Sequence, residues 1–307
     1  TMSNTNNAES SLNLSRISSD CPNTTKYEKN SPSSPDSPLF DESSRLKRLK
    51  IGCFAKCLNL NLVRVFLAET MGMFALMFCI GGISASTQLT KGQIGLMEYA
   101  SVAGITVAIL IFSIGPISGA HMNPSVTITC AIFGYFPWEK VPLYLLGQIV
   151  GSTFAAYVAK TVYKVNPEYL LTQPRLGCGS AFWVEFIAAF VIMFLTASLI
   201  NQIQTVSCMG PVMVSLQIKH LIGFVIGLAI SMAVFITVPI SGGSLNPARS
   251  LGPAIVAWNF ENIWVYLAAP VIGSIAGALG YHALGTSPKN PLHGSCISSS
   301  LYLIGEE

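Results

Sequence analysis

The chain has 307 residues, of which 51% are hydrophobic and only 10% charged, with a mean hydropathy of +0.56. Soluble domains carry about a quarter charged residues, so this composition excludes an ordinary water-soluble globule and points into a membrane. Of the 31 formal charges, fifteen lie in residues 1–64, three beyond residue 285 and thirteen between. The net charge of +3 therefore belongs to a polar tail, where nine bases face six acids, and implies no nucleic-acid partner.

Residues 1–44 are rich in Ser, Asn, Pro and Asp and show neither helical nor strand periodicity. They cannot bury enough apolar surface to offset the entropy of ordering, which predicts a disordered segment. The cluster Arg45, Lys47, Arg48, Lys50 and Lys56 follows, just ahead of the first apolar run. Such a cluster favours an anionic cytoplasmic leaflet. Cys53 and Cys57 belong to eight cysteines without paired spacing; unpartnered thiols are expected there, with lipidation or metal binding the alternatives. No Walker motif, H-E-x-x-H or G-x-S-x-G elbow occurs, so enzyme readings have no support.

Six apolar stretches reach the roughly 20 residues that a membrane-spanning helix needs: about 64–86, 97–115, 140–160, 180–200, 221–240 and 262–284. Six spans place both termini on one side, and the basic tail argues that this side is the cytosol. The loops point the other way, since 160–178 carries Lys160, Lys164 and Arg175 on the presumed outer side. The tail and first span are taken to dominate. The expected domains are thus a cytoplasmic tail over 1–61, a membrane domain over 62–285 and a cytoplasmic tail over 286–307. Segment 201–220 is expected to be a cytoplasmic loop carrying an insertion, because it holds one charge and the apolar piece CMGPVMVSL.

Two shorter apolar segments, about 122–133 and 246–256, each begin with Asn-Pro. They sit in ISGAHMNPSVT (117–127) and ISGGSLNPARS (240–250), which align at an offset of 123 residues. Nearly the same offset superimposes VFLAETMGMFALMF (65–78) on AFWVEFIAAFVIMF (181–194), pairing Glu69 with Glu185 at a seven-residue discrepancy. The chain is an internal duplication. Three spans per half is an odd number, so the second half enters the membrane from the opposite side, giving an inverted repeat around a site at the midplane.

Proline loses nothing in the first turn of a helix, and an Asn before it caps that turn. Asn123-Pro124 and Asn246-Pro247 are therefore expected to open half-helices whose N-termini meet near the midplane, each carrying about +0.5 of an elementary charge. Their Asn amides would offer N–H groups to a passing oxygen. Such a site repels cations and admits neutral hydroxylic solutes. Arg249 adds a full charge at the outer mouth and strengthens exclusion of cations and hydronium.

Paired Asn-Pro boxes, Arg249 after the second, and Glu69 and Glu185 in the first span of each half resemble the aquaporin, or major intrinsic protein, family over about residues 62–285. The first box departs from the family's Asn-Pro-Ala as Asn123-Pro124-Ser125, where the second is Asn246-Pro247-Ala248; Ser is as small as Ala, so the half-helices can still touch. With FGYFPWEKVPLY (133–144) and the long N-terminal segment, the chain is similar to the plant nodulin-26-like branch, most closely its seventh subgroup. The resemblance implies an all-α membrane protein of six transmembrane helices and two re-entrant half-helices. It also implies a homotetramer in the plasma membrane, surrounded by lipid, with no cofactor.

Counted from the boxes, the family's four filter positions fall on Ala103, Val234, Gly243 and Arg249. Water-selective relatives resemble one another in having Phe and His at the first two. Ala103 and Val234 remove that bulk, which implies a passive channel for boric acid and related metalloid hydroxides, with glycerol, urea and water as further permeants; a water or glycerol channel without a metalloid role is the alternative. Tyr99 lies one helical turn before Ala103 on the same face, so its ring is either a gate in the lumen or an interfacial anchor. Glu69 and Glu185 are either structural acceptors for loop N–H groups or titrating groups of a proton-coupled transporter. His121 has no second ligand at helical spacing and is expected to be a structural or vestibule residue rather than a metal ligand.

Overall fold

The computed structural model describes residues 60–165, 167–209 and 212–285. The expected tails, the basic cluster and the Cys53 and Cys57 thiols lie outside the described residues. Within them run α1 (Leu60–Leu89), α2 (Leu96–Ser118), α3 (Pro124–Ile132), α4 (Val141–Val162), α5 (Cys178–Met209), α6 (Val212–Ser241), α7 (Pro247–Ala257) and α8 (Ile263–Leu284). Short 3-10 turns at Trp138–Lys140 and Pro167–Leu170 precede α4 and α5.

Among the described residues, six helices are long and apolar enough to cross a membrane. Their outward faces carry large apolar side chains: Leu67 on α1, Phe112 on α2, Phe154 on α4, Val191 on α5, Phe224 on α6 and Leu279 on α8 are all more than half exposed. Water would not tolerate that surface, whereas hydrocarbon does. The half-helices α3 and α7 have 9 and 11 residues. At ~1.5 Å per residue they reach only about half of a ~30 Å hydrocarbon core.

Packing repeats the sequence duplication. In the first half α1 packs on α4 and α2; in the second, α5 packs on α8 and α6. Each half-helix docks on the other half, α7 against α4 and α3 against α8, while α2 and α6 meet across the centre. This is an all-α inverted repeat. Small residues bring the backbones together, as membrane helices require in the absence of a hydrophobic drive. A Cβ on Gly151 would strike the Thr70 carbonyl on α1, and one on Gly273 would strike the Phe186 carbonyl on α5.

Segment 201–220 differs from the expected loop. Helix α5 continues to Met209 and α6 begins at Val212. Helix α6 has 30 residues where α2 has 23, so extra sequence in the second half is taken up largely as helix. A charge-poor, apolar segment without turn residues other than Gly210-Pro211 is consistent with helical extension.

Candidate functional site

Each half-helix begins where a buried carboxylate gathers the loop that leads into it. Glu69 is fully buried. Its Oε1 accepts the Ser118 hydroxyl (2.6 Å) and the His121 N–H (3.0 Å); its Oε2 accepts the Met122 N–H (2.7 Å) and Gln148 Nε2 (2.8 Å). Glu185, equally buried, accepts the Ser241 hydroxyl, the Ser244 N–H (2.8 Å) and the Leu245 N–H (2.6 Å). Tyr144 and Tyr266 close the same loops by donating to the carbonyls of Ser118 (2.6 Å) and Ser241 (2.7 Å).

These clamps hold backbone that the local sequence would not choose. Met122 and Leu245, immediately before the two Asn residues, have φ of 47° and 57°. The left-handed region costs a non-glycine residue about 1–2 kcal/mol. Hydrogen bonds to a charged acceptor are worth about 1.5–3 kcal/mol each, so the carboxylate outweighs the strain. The turn throws Asn123 and Asn246 into matching extended conformations, with φ of −156° and −155°. Asn123 Oδ1 then caps α3 by accepting from Ser125 N (2.9 Å), and Asn246 Oδ1 caps α7 by accepting from Ala248 N (2.9 Å) and Arg249 N (3.3 Å).

The amide nitrogens cross between the boxes. Asn123 Nδ2 donates to the Leu245 carbonyl (2.9 Å), and Asn246 Nδ2 to the Met122 carbonyl (2.7 Å). One N–H of each amide thus ties the boxes together; the second on Asn123 stays available to a solute, while Asn246 Nδ2 also lies 3.9 Å from Met73 Sδ. The cross-tie places α3 and α7 with their N-termini facing each other.

Ala103, Val234, Tyr99 and Arg249 gather on the Arg249 side of the boxes. Ala103 and Val234 share an apolar cluster with Ala100, Ala233 and Leu245, against which Tyr99 packs. Arg249 is 4% exposed. Its Nη1 donates to the Leu170 carbonyl (3.2 Å), and its Nη2 to Tyr99 Oη (3.1 Å) and the Gly242 carbonyl (3.4 Å). Nε has no partner. Tyr99 thus turns its hydroxyl inward to the guanidinium, whereas a belt anchor would present it at the membrane surface. Gly243 has φ of 66°, and a Cβ there would lie 2.6 Å from Val238 Cγ2, so only glycine fits without a shift.

The remaining predicted residue, His121, bonds Thr127 Oγ1 through Nδ1 (3.1 Å), with its ring against Phe136 and Tyr144. The Ser125 hydroxyl, at the first box's departure, is buried without a partner. Sequence reasoning missed the two tyrosine clasps, Gln148 and the Leu170 carbonyl. Tyr144 and Tyr266 were accessible as a further duplicated pair, 26 and 25 residues after Ser118 and Ser241. Gln148, one turn after Tyr144 in an apolar span, was the polar residue to question. A backbone carbonyl such as that of Leu170 leaves no signature.

A duplicated, cross-tied pair of capped half-helices inside six spans defines a membrane channel rather than an enzyme, and the comparisons agree. The profile of the major intrinsic protein family matches residues 56–281. The chain belongs to that family, in its plant nodulin-26-like branch, and is an integral membrane channel for small neutral solutes. It is 48% identical over 253 residues to the probable aquaporin NIP7-1 of Arabidopsis thaliana, covering 82% of this chain and 88% of that one. Aquaporin NIP6-1 of the same plant is 37% identical over 223 residues, 73% of this chain and 69% of its own. The X-ray structure of the aquaglyceroporin from Plasmodium falciparum shares the fold, with a TM-score of 0.62 at 24% identity, covering 76% of this chain and 99% of that one.

Proposed function

We propose that this channel conducts boric acid and related metalloid hydroxides, with glycerol, urea and water as further permeants, through a filter of Ala103, Val234, Gly243 and Arg249. The observation that carries the reading is the make-up of this region: Arg249 and Tyr99 meet there through a hydrogen bond, beside a methyl, an isopropyl and a bare backbone at Ala103, Val234 and Gly243. A trihydroxy solute finds donors on one side and an apolar wall opposite. Tyr99 acts as the gate: its bond to Arg249 Nη2 supports a ring held across the space that Ala103 and Gly243 leave, so the unmodified channel conducts boric acid poorly until the ring swings away.

Glu69 and Glu185 are structural in this reading. Both are fully buried and occupied by hydrogen bonds to the loops they shape, which argues against the proton-coupled transporter. Four such units assemble as a tetramer in the plasma membrane, with both termini cytoplasmic, each unit holding its own pore. Swelling of proteoliposomes in boric acid tests the gate: Tyr99→Cys raises boric acid flux several-fold at matched protein incorporation. Unchanged or reduced flux makes Tyr99 a packing residue.

A further inference from the structure

Beside the proposed filter lies a polar cavity whose lining includes none of the four filter residues. The segment following the Pro167–Leu170 turn and the connection between α7 and α8 form a half-open pocket of about 170 Å³, lined by Thr172, Gln173, Ser250, Asn259, Glu261 and Asn262 among others. Its polar side chains comprise three carboxamides, two hydroxyls and one carboxylate. The absence of a basic side chain among them disfavours an anion, and one carboxylate is too few for a hard divalent cation. The carboxamides both donate and accept, and the Thr172 hydroxyl, whose proton goes to Ser250, still accepts, which suits a compact neutral molecule bearing several hydroxyl groups. Asn259 Oδ1 already accepts the Glu261 N–H (3.0 Å) and Asn262 Oδ1 the Cys178 thiol (3.1 Å), which leaves their Nδ2 donors for a ligand.

The cavity shares its walls with the filter. Thr172 Oγ1 donates to Ser250 Oγ (2.8 Å), Ser250 Oγ meets Ser244 Oγ (2.6 Å), and Ser244 Oγ donates to the Asn246 carbonyl (3.0 Å). On the other side of the segment, the Leu170 carbonyl holds Arg249, and Gly242 packs on the Thr172 backbone. We propose that this side cavity binds a small polyol of glycerol size, and that its occupancy braces residues 170–173 and with them the carbonyl that positions Arg249. The effect on Arg249 rests on the filter reading above; binding itself does not.

Hydrogen–deuterium exchange of the full chain in lipid nanodiscs, with glycerol as the probe and sucrose at equal osmolarity as the oversized control, separates the two. Glycerol is expected to slow exchange several-fold in peptides covering 169–176 and 258–264, saturating with concentration, while sucrose does not. The double variant Gln173→Leu/Asn259→Leu is expected to abolish this protection, and Glu261→Ala, at an exposed rim position, to weaken it several-fold in a chain that still inserts. Protection that sucrose reproduces, that spreads over every surface loop, or that survives in both variants overturns the proposal. Because exchange reports binding whichever solute the pore passes, failure of the boric acid reading leaves this result intact, and the reverse.

Discussion

Arg249 is a charged side chain 4% exposed within the membrane domain, a placement that costs several kcal/mol unless its donors are met. Two backbone carbonyls and the Tyr99 hydroxyl take up Nη1 and Nη2, while Nε has no partner; in the proposed filter the charge is a barrier to other cations. Replacing Arg249 with Ala is expected to raise proton and cation leak through correctly inserted protein, measured as dissipation of a pH gradient in proteoliposomes; an unchanged leak contradicts its role. The asparagine caps were legible in the sequence because Asn before Pro is local chemistry that works wherever a helix starts. The left-handed turns at Met122 and Leu245 were not, because neither residue favours them and the cause lies more than 50 residues away in Glu69 and Glu185. Glu185→Gln tests that dependence. An amide presents at most one acceptor oxygen where the carboxylate presents two, so a buried N–H of Ser244 or Leu245 loses its partner at about 1–3 kcal/mol. The expected result is a lower detergent unfolding temperature together with reduced flux of every solute; an unaltered Tm and flux would show that the turn holds itself.

At the scale of elements, the six spans were legible from hydropathy alone because each must present apolar surface to lipid along its length. The half-helices needed a second signal, the repeated Asn-Pro box, since nine and eleven residues are too few to register as spans. The helix ends around 209–212 were not legible, because a segment with few charges and a single Gly-Pro break reads equally as an apolar loop or as two long helices that meet at that break. How closely the helices pack was hidden as well, since a glycine in an apolar run does not announce its neighbour. Gly273 sits against the Phe186 carbonyl of α5. Gly273→Leu is expected to pry α8 from α5, lowering the unfolding temperature in detergent markedly, whereas Gly179→Ala, with nothing within 4 Å of its Cβ, should leave it within a degree or two. Equal effects would mean that the α5–α8 contact is not close-packed.

At the largest scale, the membrane domain is two copies of one design, tied at their centres by two asparagine amides, and the proposed selectivity falls where the copies differ. Arg249 stands where the first half has Val126, and Ser125 where the second has Ala248. A tetramer is expected by native mass measurement in detergent micelles; a fully conducting monomer would remove assembly from the functional account. The central claim is that a wide, apolar filter gated by Tyr99 selects boric acid. Its most direct test is the ratio of boric acid to water permeability, measured by light scattering on the same proteoliposomes, for the native chain, Tyr99→Cys, and Tyr99→Cys combined with Ala103→Phe and Val234→His. The account predicts that the ratio rises several-fold on removing the tyrosine and falls below the native value once the filter is refilled, with water flux largely kept. A ratio that stays constant across all three, or boric acid and water fluxes that fall together, would contradict it.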